Sequence, residues 1–135
     1  MAEPMTLTMI TPDAVVYDGK ANFFVGRAID GEFGVLPNHA PMIIALDVAP
    51  LRIDDPEGKK QTFAVFGGFV EIENNKVSII TPNCENPEAI DIERAERAKE
   101  RAEGRLSNPT PDIDVERAEH ALARALLRLK VTKRI

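Results

Sequence analysis

Arginines recur at helical spacing in the last third of the chain: Arg94, Arg101 and Arg105 in one stretch, Arg124 and Arg128 in the next. The guanidinium group is a planar, charged fork of donors that fits phosphates and carboxylates in bidentate pairs. At about 100° per residue, the first three lie on one shoulder of a stripe made by Ala95, Ala98, Ala102 and Leu106. Glu93, Glu96, Glu100 and Glu103 gather on the far side. Arg124 and Arg128 are four residues apart and repel by about 0.2–0.5 kcal/mol unless an anion sits between them. If the two stretches fold back antiparallel about Pro109, Arg94 comes level with Arg124, and Ile90 and Asp91 come level with Arg128. That clusters guanidiniums beside one carboxylate and a small apolar shelf. The mixture suits ATP: guanidiniums for the phosphates, Asp91 for an adenine amino group or for orienting an arginine, Ile90 and Ala95 for the face of the base. The same residues also fit a plain solvated face with intrahelical pairs such as Glu93 with Arg97.

Other chemistry has little to stand on. Neither GxxxxGK[ST] nor GxGxxG occurs. His39 and His120 are the only histidines, and no ligand-spaced Cys, Asp or Glu accompanies them, so neither a metal site nor a catalytic triad is expected. His39 reads as ordering the Pro37-Asn38-His39-Ala40-Pro41 loop, which is either a docking point or a rigid turn. The one cysteine, Cys84, reads as a small buried hydrophobe and implies a reducing compartment. With no nucleophile, base and orienting group in a recognisable pattern, an independent enzyme is the weakest class.

The elements that must position the arginines follow from a change of composition. All seven aromatic residues and seven of the eight glycines precede residue 88. Residues 1–87 carry 6 basic and 12 acidic side chains, and residues 88–135 carry 11 and 10. The first module, 1–87, reads as short strands between turn residues at 5–11, 14–17, 21–26, 42–46, 51–53, 62–66, 69–73 and 76–82, with a tight hairpin at Glu73-Asn74-Asn75-Lys76. Eight strands in so short a span predict a β-sandwich or flattened barrel, with Phe63, Phe66 and Phe69 in its core. The second module, 88–135, reads as an antiparallel two-helix hairpin. Asn86-Pro87 or Asp91 caps the first helix, Thr110-Pro111 or Asp112 caps the second, and Gly104 and Pro109 mark the break. The second apolar stripe runs through Val115, Ala118, Leu122, Ala125, Leu126 and Leu129. No longer repeat is apparent. The fold class is thus α+β, mostly β. A net charge of -5 disfavours nucleic acid as partner. No apolar run approaches the roughly 18 residues of a membrane span, and the N-terminus lacks a signal pattern.

Thr11-Pro12-Asp13 with Val16-Tyr17, then Gly31-Glu32-Phe33-Gly34-Val35-Leu36-Pro37-Asn38-His39-Ala40-Pro41, then Gly67-Gly68-Phe69-Val70-Glu71 resemble the epsilon subunit of the F-type ATP synthase. The resemblance covers essentially the whole chain. It implies a non-catalytic rotor subunit of a proton-translocating enzyme, peripheral on the cytoplasmic face of the cell membrane. Its sandwich would sit beside gamma and the membrane rotor ring, and its mobile hairpin would reach the alpha and beta subunits when it inhibits ATP hydrolysis. Some bacterial members bind ATP, with or without magnesium, through a motif I/L-D-x-x-R-A. Ile90-Asp91-Ile92-Glu93-Arg94-Ala95 matches it in full, and Glu85, Arg101, Arg124 and Arg128 match further nucleotide contacts. The linker 107–111 departs from the family in carrying two prolines. A purely structural coupling subunit without nucleotide sensing is the alternative.

Overall fold

The computed structural model describes residues 3–133. The chain divides into two compact units, Met1–Glu85 and Asn86–Ile135. The first holds eight strands: β1 Met5–Ile10, β2 Val15–Ala21, β3 Phe23–Ala28, β4 Gly31–Val35, β5 Met42–Asp54, β6 Lys60–Glu73, β7 Lys76–Ile80 and β8 Cys84–Glu85. Their order is β2-β1-β7-β6-β5-β3-β4, with β8 paired to β6. Only β1 and β7 run parallel. Alternation drives the folding: in β1, Met5, Leu7 and Met9 point inward while Thr6, Thr8 and Ile10 do not. The inward rows close around Phe24, Leu51, Phe63 and Ile79 as a β-sandwich.

Two mergers and two additional strands separate this sheet from the sequence expectation. The segments 42–46 and 51–53 are one strand, because the ladder passes Pro50 with Ala49 against Val65 and Leu51 against Phe63. Segments 62–66 and 69–73 are also one strand, bent at Gly67 (φ 85) and Gly68 (φ 106). A side chain on Gly68 would overlap the Ile80 carbonyl oxygen. Glycine therefore lets β6 exchange its neighbour β8 for β7 at this point. The bend also turns Phe69 outward: Phe63 and Phe66 are core, whereas Phe69 is 46% exposed. Strands β4 and β8 were not foreseen, since β4 is glycine-punctuated and β8 has only two residues.

The β6–β7 hairpin forms as expected, with Asn74 (φ 52) and Asn75 (φ 60) in the left-handed region. Asn75 does more than turn the chain. Its Oδ1 accepts the Asn38 N–H at 2.8 Å, and its Nδ2 donates to the Pro4 and Glu3 carbonyls at 3.2 and 3.4 Å. Among the described residues, the Asn38 bond is the one hydrogen bond tying residues 36–41 to another element. His39 Nδ1 lies 2.8 Å from the Ala40 carbonyl within that segment.

The second unit contains a short 3₁₀ turn, Pro87–Ala89, then α1 Ile92–Ser107 and α2 Val115–Val131. Asn86 caps the turn, and Asp91 caps α1. The cap of α2 is Asp114 rather than Thr110-Pro111 or Asp112. The Ile113 N–H closes a turn on the Thr110 carbonyl, which displaces the helix start by one short turn. Gly104 lies inside α1, where its carbonyl accepts the Asn108 N–H, so the break falls at Asn108 and Pro109. The helices pack on each other and bury Ala95 and Ala102 from α1, and Ala118, Ala125, Leu127 and Leu129 from α2. Leu122 and Leu126 are only half-buried, and Leu127, off the expected stripe, is buried instead.

Candidate functional site

The two helices begin alike. Asp91 has φ −80 and ψ 102, and Asp114 has φ −83 and ψ 101. Each carboxylate accepts the backbone N–H three residues on, of Arg94 at 3.0 Å and of Arg117 at 3.1 Å. Each Asp carbonyl accepts from the alanine that follows that arginine, Ala95 and Ala118, at 3.1 Å. Both alanines are buried. Ahead of each cap an isoleucine N–H closes a turn, Ile90 on Pro87 and Ile113 on Thr110.

This geometry exposes a repeat that escaped the sequence reading. Residues 90–106 and 113–129 share the pattern Ile-Asp-x-Glu-Arg-Ala-Glu-x-Ala-x-x-Arg-Ala-x-x-Arg-Leu. The buried alanines recur seven residues apart in both copies, at 95 and 102 and at 118 and 125. Small residues at that spacing let helix axes approach closely. Two like copies packed antiparallel are related by a twofold axis perpendicular to the plane of the pair, which keeps each residue on its own side of that plane. The arginine before each buried alanine therefore emerges on one face: Arg94, Arg101, Arg117 and Arg124. All four are exposed. On α1, Arg97 pairs with Glu93 at 4.0 Å.

At the linker end, Arg105, Asp112, Ile113, Asp114, Arg117 and Ala118 line a cleft of about 380 Å³. The last turn of α1 thus meets the first turn of α2. In the repeat Arg105 and Arg128 are equivalent positions, as are Arg94 and Arg117.

The β unit offers a different surface. Register places Val15 beside Ile10, Ile10 beside Ile80, Ile80 beside Phe69 and Phe69 beside Ala45. The Ile29 N–H extends the row by bonding the Ala45 carbonyl. Val15, Ile29 and Phe69 are 61%, 73% and 46% exposed. The adjoining row, Thr8, Ser78 and Glu71, is polar. An apolar row across the sheet with Val15, Ile80, Phe69 and Ile29 exposed suits a surface that is covered.

Two family models account for nearly all of the chain. The β-sandwich domain of the ATP synthase delta/epsilon chain matches residues 4–87, and the long α-helix domain of the same chain matches residues 88–133. The chain belongs to the ATP synthase epsilon family. The ATP synthase epsilon chain of Brevibacillus brevis is 46% identical over 129 residues, covering 96% of this chain and 98% of the relative. That of Desulforamulus reducens is 42% identical over 133 residues, covering 98% and 100%. A chain in the Euglena gracilis mitochondrial ATP synthase structure with OSCP, F1 and c-ring aligns with TM-score 0.85 at 25% identity, covering 96% of this chain and 81% of that one. A chain in the Tetrahymena thermophila mitochondrial ATP synthase central stalk and c-ring shares the fold, with TM-score 0.63 at 14% identity over 97% and 98%. An epsilon subunit is a non-catalytic part of the central stalk. Among the described residues no helix is long and apolar enough to cross a membrane.

In the epsilon chain the sequence-selected residues separate by role. Asp91 is engaged as a helix cap, through a backbone N–H and not a guanidinium. Ile90 is half-buried at the end of the 3₁₀ turn. Ala95 is 2% exposed, and its small side chain allows close approach of the two helices. Arg94, Arg101 and Arg124 are exposed, and Arg128 is half-buried. Glu85 belongs to the β unit, where its Oε2 accepts from Asn83 Nδ2 at 3.3 Å. Cys84, expected to be buried, is half-buried, its Sγ 3.8 Å from Met9 Sδ. Burial, and secondarily the Glu85 charge, pushes its thiol from 9.0 up to about 12. Arg134 lies outside the described residues.

Proposed function

We propose that this epsilon chain is an ATP-sensing brake on a proton-translocating ATP synthase. Its sandwich docks on gamma and the membrane rotor ring, and its hairpin is held compact by ATP. What supports this reading is an exposed arginine ahead of each buried alanine, at Arg94, Arg101 and Arg124, for which no ion pair is found among the described residues. Unpaired guanidiniums on one face repel one another and welcome a polyphosphate. Burial stabilises by about 25 cal/mol per Å², so alanine methyl groups yield little and closure is marginal. A ligand that binds only the closed form adds about 2.7 kcal/mol at a hundredfold excess over its dissociation constant. That is enough to decide a two-state equilibrium.

When ATP is scarce the helices part and α2 extends along gamma toward the alpha and beta subunits, opposing hydrolysis. Arg117, Arg124, Arg128, Lys130, Lys133 and Arg134 would then meet acidic surfaces. The apolar row from Val15 to Ile29 supports docking on the rotor, and it also suits the second reading, a structural coupler without nucleotide sensing.

Calorimetric titration of the purified chain with ATP, ADP and GTP, with and without magnesium, separates the two. The proposal expects saturable ATP binding that Arg94→Ala weakens at least tenfold and Arg97→Ala, on the Glu93-paired side, leaves within about twofold. An absence of ATP binding leaves the coupler. Deleting residues 88–135 should release ATP hydrolysis in the assembled enzyme, and equal rates with and without them would dismiss the brake.

A further inference from the structure

The repeat duplicates the candidate site together with the helices. Under the twofold, Ile90, Asp91, Arg94 and Ala95 map onto Ile113, Asp114, Arg117 and Ala118, while Arg124 and Arg128 map onto Arg101 and Arg105. We propose that the hairpin holds a second polyphosphate site at its linker end, in which Arg105 and Arg117, with Arg101 beside them, grip the phosphate chain of a nucleoside triphosphate or of inorganic triphosphate. The inference rests on the reading that the first copy binds ATP.

Three observations support it. The cleft there, about 380 Å³, falls within the roughly 300–1,000 Å³ of small-molecule sites. It joins guanidiniums from both helices, so a ligand in it would tie the helices as firmly as one at the open end. Among the described residues neither Arg105 nor Arg117 has an ion-pair partner, and two guanidiniums lining one cleft favour a bridging anion. Local geometry agrees between the copies down to the cap angles and the hydrogen bond from Arg94 or Arg117 to its aspartate. Ile113 is half-buried, as Ile90 is.

The two sites are unequal. Asp114 is committed to its cap, and Asp112 accepts from the Thr110 hydroxyl, a hydrogen bond that holds its carboxyl below the ordinary value. In the first copy Ala89 stands where the second has Asp112, so the linker cleft sets one more carboxylate beside its guanidiniums. The linker site therefore takes its ligand less tightly.

Calorimetry on the full chain tests this, with ATP and with inorganic triphosphate as separate titrants. Two ATP events are expected, the second weaker by about tenfold or more. Arg105→Ala combined with Arg117→Ala should abolish the weaker event and spare the tighter, and Arg94→Ala should do the reverse. All three positions are exposed, so unchanged circular dichroism is expected in the variants. A weaker event reproduced by inorganic triphosphate assigns recognition to the phosphates, and one confined to ATP adds the nucleoside. One event in the wild type, lost entirely in Arg94→Ala, overturns the second site and leaves the first. No heat with either titrant removes both.

Discussion

The Asp91 carboxylate accepts the Arg94 backbone N–H at 3.0 Å, so the two polar residues of the Ile-Asp-x-x-Arg-Ala motif are joined before any ligand arrives. The aspartate that would recognise nucleotide also starts the helix carrying the arginines. Removing it weakens scaffold and site at once.

Two substitutions separate these roles. Asp91→Ala removes the cap and costs α1 about 1 kcal/mol, while Asp91→Asn keeps a capping oxygen and loses the charge. We expect thermal unfolding of the helical unit to fall for alanine and hold for asparagine, with ATP affinity reduced in both. Wild-type affinity in Asp91→Asn would make Asp91 a cap and nothing more.

Gly68→Ala should destabilise the β unit by about 2–4 kcal/mol, through positive φ and overlap with the Ile80 carbonyl. Gly19→Ala, whose nearest atoms would lie at 3.6 Å, should change urea unfolding little. Equal midpoints for the two variants would dismiss the bend as the cause.

The Cys84 thiol gives alkaline pH a defined effect. Its folded pKa of about 12 exceeds the ordinary 9.0, so above pH 9 the folded chain retains a proton that the unfolded chain releases. Stability from this group is whole below 9.0 and declines as pH rises toward 12, by at most about 1.4 kcal/mol per pH unit. Cys84→Ala should flatten that slope in urea titrations at pH 9 to 11. A slope that persists unchanged assigns it elsewhere.

Phe69→Ser should leave folding intact, because the ring is 46% exposed, yet weaken binding to a gamma and rotor-ring subcomplex by about tenfold. Phe63→Ser, in the core, should instead unfold the β unit. Undiminished binding by Phe69→Ser would place the docking face elsewhere.

Much of this was legible in the sequence because period and punctuation agreed: alternation in β1, the Asn74-Asn75 turn, and Asp91 ahead of an alanine stripe. What escaped reading depended on the third dimension. Pro50 and Gly67-Gly68 look like breaks between strands, but a proline forfeits only its own donor, and paired glycines bend a strand without ending it. Phe69 follows that bend outward, so its direction could not be taken from Phe63 and Phe66. The second Ile-Asp-x-x-Arg-Ala lay in plain view at Ile113–Ala118. It gained meaning only when both caps showed the same angles.

Asn75 fastens three otherwise separate connections at one end of the sandwich, and for residues 36–41 it is the single fixed rivet. Pro37 and Pro41 stiffen that segment, while one amide sets the angle at which it leans. A rotating shaft passes torque only through parts that do not swivel, so if this end docks on the rotor, its grip is limited by one side chain on the opposite turn.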